Sequence, residues 1–304
     1  MSDDTGTSSA TPLNPEPSEW VTLISSEIDQ GTAVQRLGIP SEFAAHALDL
    51  DEMPRMKSGP SGTLIVLRLP VSQGGQAREP WVTQPIALVV MPGRIVAISR
   101  ATHPVLDRIA DFARADARHQ PRLILRVLEL CAEVFLHEVR CINVRVDELE
   151  AGLKESLGNR EVLELLKCQR GLVYFATALR ATEFLLERLQ TSNLLRAAPE
   201  DHELLEDVRV EIRQALDMTQ TSADILSQMM DAFASIISNN LNSVMKFLTA
   251  VTIILMVPTL VASLWGMNVG LPLAGHPMAF TGLVLASIAL SGLVTAALAL
   301  RRWL

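Results

Sequence analysis

Residues 247–268 read FLTAVTIILMVPTLVASLWGMN, and the rest of the chain is arranged around them. The first 19 of these, Phe247–Trp265, contain no charged residue. A second uncharged run of 23 residues, Met278–Leu300, follows closely. A helix needs roughly 20 apolar residues to cross the hydrocarbon core of a bilayer. Both runs are therefore predicted as transmembrane helices; two core helices of a soluble fold would not be free of charge over such lengths. The mean hydropathy of +0.27 across 304 residues is raised by these two segments. Lys246 precedes the first run and Arg301-Arg302 follow the second, while the connecting loop, 266–277, has no Lys or Arg. The positive-inside rule places both termini in the cytoplasm and the loop outside.

Upstream, the composition is that of a cytosolic protein. Residues 1–18 are acidic and rich in Ser, Thr and Pro, without the basic and apolar regions of a signal peptide, and read as a disordered tail. Cys131, Cys141 and Cys168 lie in helical sequence without CxxC spacing, which predicts reduced thiols with no disulfide framework. All 34 acidic residues lie at or before Asp231, against 23 basic ones, a balance of −11. Such a region repels nucleic acid and attracts cations.

Between residues 19 and 120 short β-like runs alternate with helical ones. Strands are predicted at Val21–Ser25, Thr63–Leu69, Thr83–Val90 and Arg94–Ser99, with Pro92-Gly93 marking a hairpin. Helices are predicted at Thr32–Leu37, Ser41–Asp49 and Val105–Ala115. The expectation is a small α/β cytosolic domain over 19–120. From 121 to 199 the apolar period becomes helical, with a break at Gly158-Asn159, which predicts an antiparallel helical hairpin. After Ala198-Pro199 no breaker appears before Pro258, so a stalk helix over 200–246 runs into the first span, 247–265. At 1.5 Å per residue such a helix is about 100 Å long, too long to be buried in one domain.

One face of this helix is polar or small almost throughout. Steps of three and four connect Asp217, Thr221, Asp224, Gln228, Asp231, Ser235, Ser238, Asn242, Met245, Thr249, Thr252, Met256, Thr259 and Ser263. The mean step is close to the 3.5-residue period of a left-handed supercoil. A polar stripe within a membrane faces protein or water. One helix cannot enclose a pore, so the chain is expected to associate with itself around the stripe. Small-residue helix packing is the competing explanation. Continuation of the stripe into acidic Asp224 and Asp231 favours a cation path, and rings of Met would suit a dewetting gate. Pro258 removes a backbone hydrogen bond and predicts a local kink.

Asn242, Met245, Lys246, Leu248 and Thr249, then Pro258-Thr259, then Gly266-Met267-Asn268, form a pattern that resembles the CorA-type divalent-cation channels, including their ZntB branch. Gly-Met-Asn closing the first of two C-terminal spans is that family's signature, and the resemblance is close over 200–304. It implies a funnel-shaped homopentamer with an α/β cytosolic domain, a helical stalk and a pore lined by the first span. Carried over by position, Asn268 would ring the outer mouth and hold a hydrated cation through its amide oxygen, with Gly266 and Met267 shaping the turn. Thr259 would form the next polar ring and Met256 a hydrophobic constriction. Asn242, Met245 and Leu248 would form the inner neck, and Asp231 an acidic ring at the cytosolic end. The implied metal contacts are Asn268, Thr259 and Asp231, and Asp207 matches one partner of a regulatory metal site between subunits. Two departures from the family pattern stand out. The loop after the signature has no acidic residue, His276 being its only titratable side chain. The region expected to face Asp207, Val71-Ser72-Gln73-Gly74-Gly75, has no acid either.

The expected function is passage of divalent cations, with magnesium first and cobalt and nickel besides, in the inner (plasma) membrane of a bacterium. Membrane lipids, the transported ions and further copies of the chain are the expected partners, with no cofactor. The alternatives are a zinc transporter of the ZntB type, with or without proton coupling, and a weakly selective cation channel. From another class comes a membrane-anchored sensor that conducts nothing; the polar stripe argues against it. An enzyme is not expected. No nucleophile–base arrangement, phosphate loop or metal-ligand spacing is read, and His137-Glu138 has no matching second histidine.

Overall fold

The computed structural model describes residues 19–24, 37–74, 77–100, 103–115, 119–155, 159–195, 199–267, 270, 277–301 and 303. The predicted tail over 1–18 and most of the predicted helix Thr32–Leu37 lie outside these. Five strands, β1 (Glu19–Ile24), β2 (Arg55–Gly59), β3 (Gly62–Ser72), β4 (Trp81–Met91) and β5 (Arg94–Ser99), form one sheet in the order β1-β5-β4-β3-β2. β1 pairs with β5 in parallel and all other pairs are antiparallel. Pro92-Gly93 makes the β4–β5 turn, where Met91 pairs with Arg94 and Gly93 takes φ +79°, a conformation costly for residues with a Cβ. β2 was not predicted. Its sequence, RMKSG, has no apolar run, because it is an edge strand whose side chains are half-buried or exposed.

The helices are α1 (Ser41–Ala47), α2 (Pro104–Ala115), α3 (Gln120–Glu155), α4 (Asn159–Thr191), α5 (Pro199–Trp265) and α6 (Ala279–Leu300). Residues 1–228 and 229–304 form two compact units. In the first, strand alternation sends side chains to two cores. Leu64, Val66, Ala87, Val89, Val96 and Ile98 face Phe43, Ala44 and Ala47 of α1. Ile65, Leu67, Leu69, Ile86, Leu88, Ile95 and Ala97 face the long helices, meeting Ile109 of α2, Leu125 and Leu128 of α3, Leu186 of α4 and Leu205, Val208 and Ile212 of α5. β4 is buried on both faces from Pro85 to Met91, which explains its nearly continuous apolar run. α3 and α4 form the hairpin, with Phe135 and Phe175 edge to face at 5.4 Å. Cys131 and Cys168 are buried, Cys141 is exposed, and all three are free thiols.

The second unit holds the rest of α5 and all of α6. Both helices are long and apolar enough to cross a membrane. Their most apolar windows are only 6 % and 0 % buried, which excludes core helices of a soluble fold. The α5 helix is unbroken for 67 residues, with Pro258 inside it.

Candidate functional site

Within the second unit, every predicted stripe position of α5, and Leu248 of the implied inner neck, is open. Asp231, Ser235, Ser238, Asn242, Met245, Leu248, Thr249, Thr252, Met256, Thr259 and Ser263 are all exposed. The less exposed side runs through Ala250, Ile254, Val257, Val261 and Trp265. At 100° per residue these two sets fall on nearly opposite sides of the helix. α6 likewise keeps one side partly covered, at Leu283, Ser287, Ser291, Val294 and Leu298, and leaves large apolar groups such as Phe280, Leu285 and Leu293 open. The polar face of α5 is thus not the face shielded within this unit. That distinguishes it from a small-residue stripe packed against the chain's own second span.

The threonines have a defined chemistry. Thr249 Oγ1 donates to Met245 O at 2.7 Å, Thr252 to Leu248 O at 2.8 Å and Thr259 to Leu255 O at 2.9 Å. Each hydroxyl spends its one proton on the helix. What it presents outward is an oxygen that can only accept. A hydrated cation turns water hydrogens outward, so a lining of acceptors complements its hydration shell. Met245, Leu248 and Met256 interrupt these polar levels with exposed apolar side chains.

At the end of α5 the Gly266 N–H donates to Ala262 O at 2.9 Å. A Cβ at Gly266 would sit 3.3 Å from that same oxygen, so the helix closes on a residue without a side chain. Met267 beyond it is exposed. Asn268, His276 and most of the 266–277 loop lie outside the described residues, as does Arg302.

Asp207, predicted as a regulatory contact, is exposed on α5 in the first unit. One turn further, burial raises the Glu211 carboxyl above its ordinary range. The nearby carboxylates Glu129, Glu133 and Asp207 reinforce the shift, and Arg126 opposes it. Glu129 and Glu133 are themselves held by Arg126 at 2.5 Å and Arg108 at 3.1 Å. Val71 and Ser72 end β3; Gly75 is outside the described residues. Among the described residues no three His, Cys, Asp or Glu side chains converge on a metal position.

A mixed α/β unit joined through one long helix to two membrane-spanning helices, the first polar along its open face, defines a membrane protein of the transport class. The chain belongs to the CorA-like Mg2+ transporter family, which it matches over residues 18–302. It is 28% identical over 256 residues to a cobalt/magnesium transport protein CorA of Methanocaldococcus jannaschii, covering 81% of this chain and 78% of the relative. A Thermotoga maritima protein of the same name is 24% identical over 265 residues, covering 82% and 72%. Among solved structures, the complete CorA magnesium transporter of M. jannaschii superposes with a TM-score of 0.78 at 22% identity, covering 96% of this chain and 92% of that one, a likeness of fold.

Proposed function

We propose that this chain assembles as a homopentamer and conducts divalent cations, magnesium foremost, along the polar face of α5. The observation that carries this reading is the acceptor-only threonine ladder on the open side of a membrane-spanning helix. Such a face has no stable place against lipid. Ringed by copies of itself, it becomes a water-filled path. Magnesium gives up its water reluctantly, so selection through the outer hydration shell suits it. Neutral acceptors at Asn268 and Thr259 hold such an ion weakly enough to release it, which conduction requires. Asp231 supplies an acidic ring at the inner end, and Met245, Leu248 and Met256 the apolar constrictions. Asp207 is a regulatory contact in this reading. The first unit and residues 229–246 are cytosolic, 247–265 and 278–300 span an inner membrane, 266–277 are external and 301–304 return to the cytoplasm. The names of the two relatives, cobalt/magnesium transport proteins, agree with magnesium and cobalt as cargo.

The test is flux into proteoliposomes of purified protein, with magnesium, cobalt, nickel and zinc compared across a range of pH. Magnesium uptake is expected without a proton gradient. Both Asn268→Ala and Thr259→Val lower it at least about tenfold, since a net loss of 1.4 kcal/mol over the ring of copies suffices. Thr259→Ser, which keeps the hydroxyl, retains most of it. Full flux in Asn268→Ala and Thr259→Val overturns the pore assignment. The loop without acidic residues supports a second reading, zinc as cargo; zinc flux exceeding magnesium flux and driven by a pH gradient would establish it instead.

A further inference from the structure

On the exposed side of α3, His137 and Cys141 stand four residues apart, one helical turn, where side chains meet. His137 Nε2 and Cys141 Sγ are 3.7 Å apart. That separation is a thiol–imidazole contact, and it is also compatible with metal-bond lengths. With a metal–nitrogen bond of about 2.05 Å and a metal–sulfur bond of about 2.3 Å, donors so spaced subtend about 116° at the ion, near the tetrahedral value of about 109°. The two donors are already placed for chelation without a change of backbone.

The surroundings define what else takes part. His137 and Glu138 line a cleft of about 670 Å³ that also includes His103, Arg108 and Glu133. His103 is committed: Nδ1 accepts from the Val105 N–H at 3.1 Å and Nε2 donates to Pro70 O at 3.2 Å. Glu133 is committed to Arg108 at 3.1 Å. Cys141 is not among the residues that line the cleft; it is exposed, so the remaining coordination positions open to solvent. Cys131 and Cys168 are buried and do not compete for an entering ion.

We propose that His137 and Cys141 form a two-ligand site for a borderline divalent cation of the zinc or cobalt class, completed by water. Imidazole and thiolate favour such ions, whereas magnesium demands oxygen ligands. Binding replaces the thiol proton with the metal and releases that proton to solvent. The site lies outside the α5 path and stands independently of the transport reading.

The experiment is a cobalt titration of the full chain in detergent micelles, after chelator treatment, followed by thiolate-to-cobalt charge-transfer absorption. One such band is expected to saturate at one cobalt per chain, to be displaced by zinc and to persist in excess magnesium. Cys141→Ser abolishes the band, and His137→Ala weakens apparent affinity at least about tenfold. Both variants keep wild-type helical circular dichroism, since both positions are exposed. Asn268→Ala retains the band even where flux is lost, which separates this site from the pore. Absence of the band in folded wild-type protein, its survival in Cys141→Ser, or its displacement by magnesium overturns the proposal.

Discussion

A threonine in a membrane helix faces two demands, and Thr249, Thr252 and Thr259 meet both with one geometry. The hydroxyl proton is satisfied by the carbonyl four residues back, so no donor is stranded in a low-dielectric setting. The oxygen remains able to accept. Spacing alone places these residues on one face; the commitment of their protons is a property of the folded helix and is not written in the sequence. Glu211 shows another residue-scale effect. Its folded-state affinity for a proton exceeds the ordinary carboxyl value of 4.5, through burial first and then the carboxylates around it. The folded chain therefore holds more protons than the unfolded one just above that pH, and stability falls as pH rises through the window. Glu211→Gln is expected to raise the urea midpoint of the first unit at pH 7. The gain shrinks as pH falls and is gone near pH 3, where Glu211 is protonated in both states. An equal gain at both pH values would show that the carboxylate charge is not the cause.

Among the elements, α4 lies close against the sheet at Gly171. A Cβ there would lie 2.7 Å from Trp81 Cβ at the start of β4, closer than packed atoms sit. Two effects oppose one another in Gly171→Ala. Helix propensity favours alanine by about 1 kcal/mol. Overpacking against an atom so near the β4 backbone costs about 1–3 kcal/mol. We expect the clash to win, with a net loss of about 1 kcal/mol in urea unfolding of the first unit; a stabilised variant would mean that Trp81 moves aside freely. Such contacts mark the limit of what periodicity conveys. The strands β3, β4 and β5 were legible because their apolar runs are bounded by Gly and Pro. The long helices were legible because their apolar period holds without breakers. β2 was not, since RMKSG has no apolar alternation and contributes only Met56 to the core, and its place comes from pairing with β3. Nor was the parallel pairing of β1 with β5, which joins residues 75 positions apart in the chain. His137 and Cys141 were not read as a pair in the sequence; the 3.7 Å separation in the folded helix made them a pair of donors.

For the whole molecule, the second unit leaves two kinds of surface unpaired. Phe280, Leu285 and Leu293 are exposed and apolar, a surface that lipid satisfies. Thr249, Thr252, Thr259 and Ser263 are exposed and polar, a surface that lipid does not satisfy. Two spans per chain cannot wrap a water-filled path, so the conduction proposed along this face would need several copies, with α5 inward and α6 outward. The mostly apolar α6 fits the outer position, because Ser287, Ser291 and Thr295 fall on its partly covered side and only Thr281, in its first turn, is an exposed hydroxyl. Closed rings are the usual outcome when each copy uses one surface to meet its neighbour in rotation. The proposed assembly has five copies, and native mass spectrometry of the detergent-solubilised chain is expected to show five copies as the main species. Converting Thr252 and Thr259 together to Val removes two polar levels without changing side-chain volume much. If water between the copies is what keeps the face satisfied, this variant still forms five-copy rings but loses flux. If the hydroxyls instead hold the helices together, the rings dissociate into smaller species at the same protein concentration, and the stripe is an adhesive surface with no path along it.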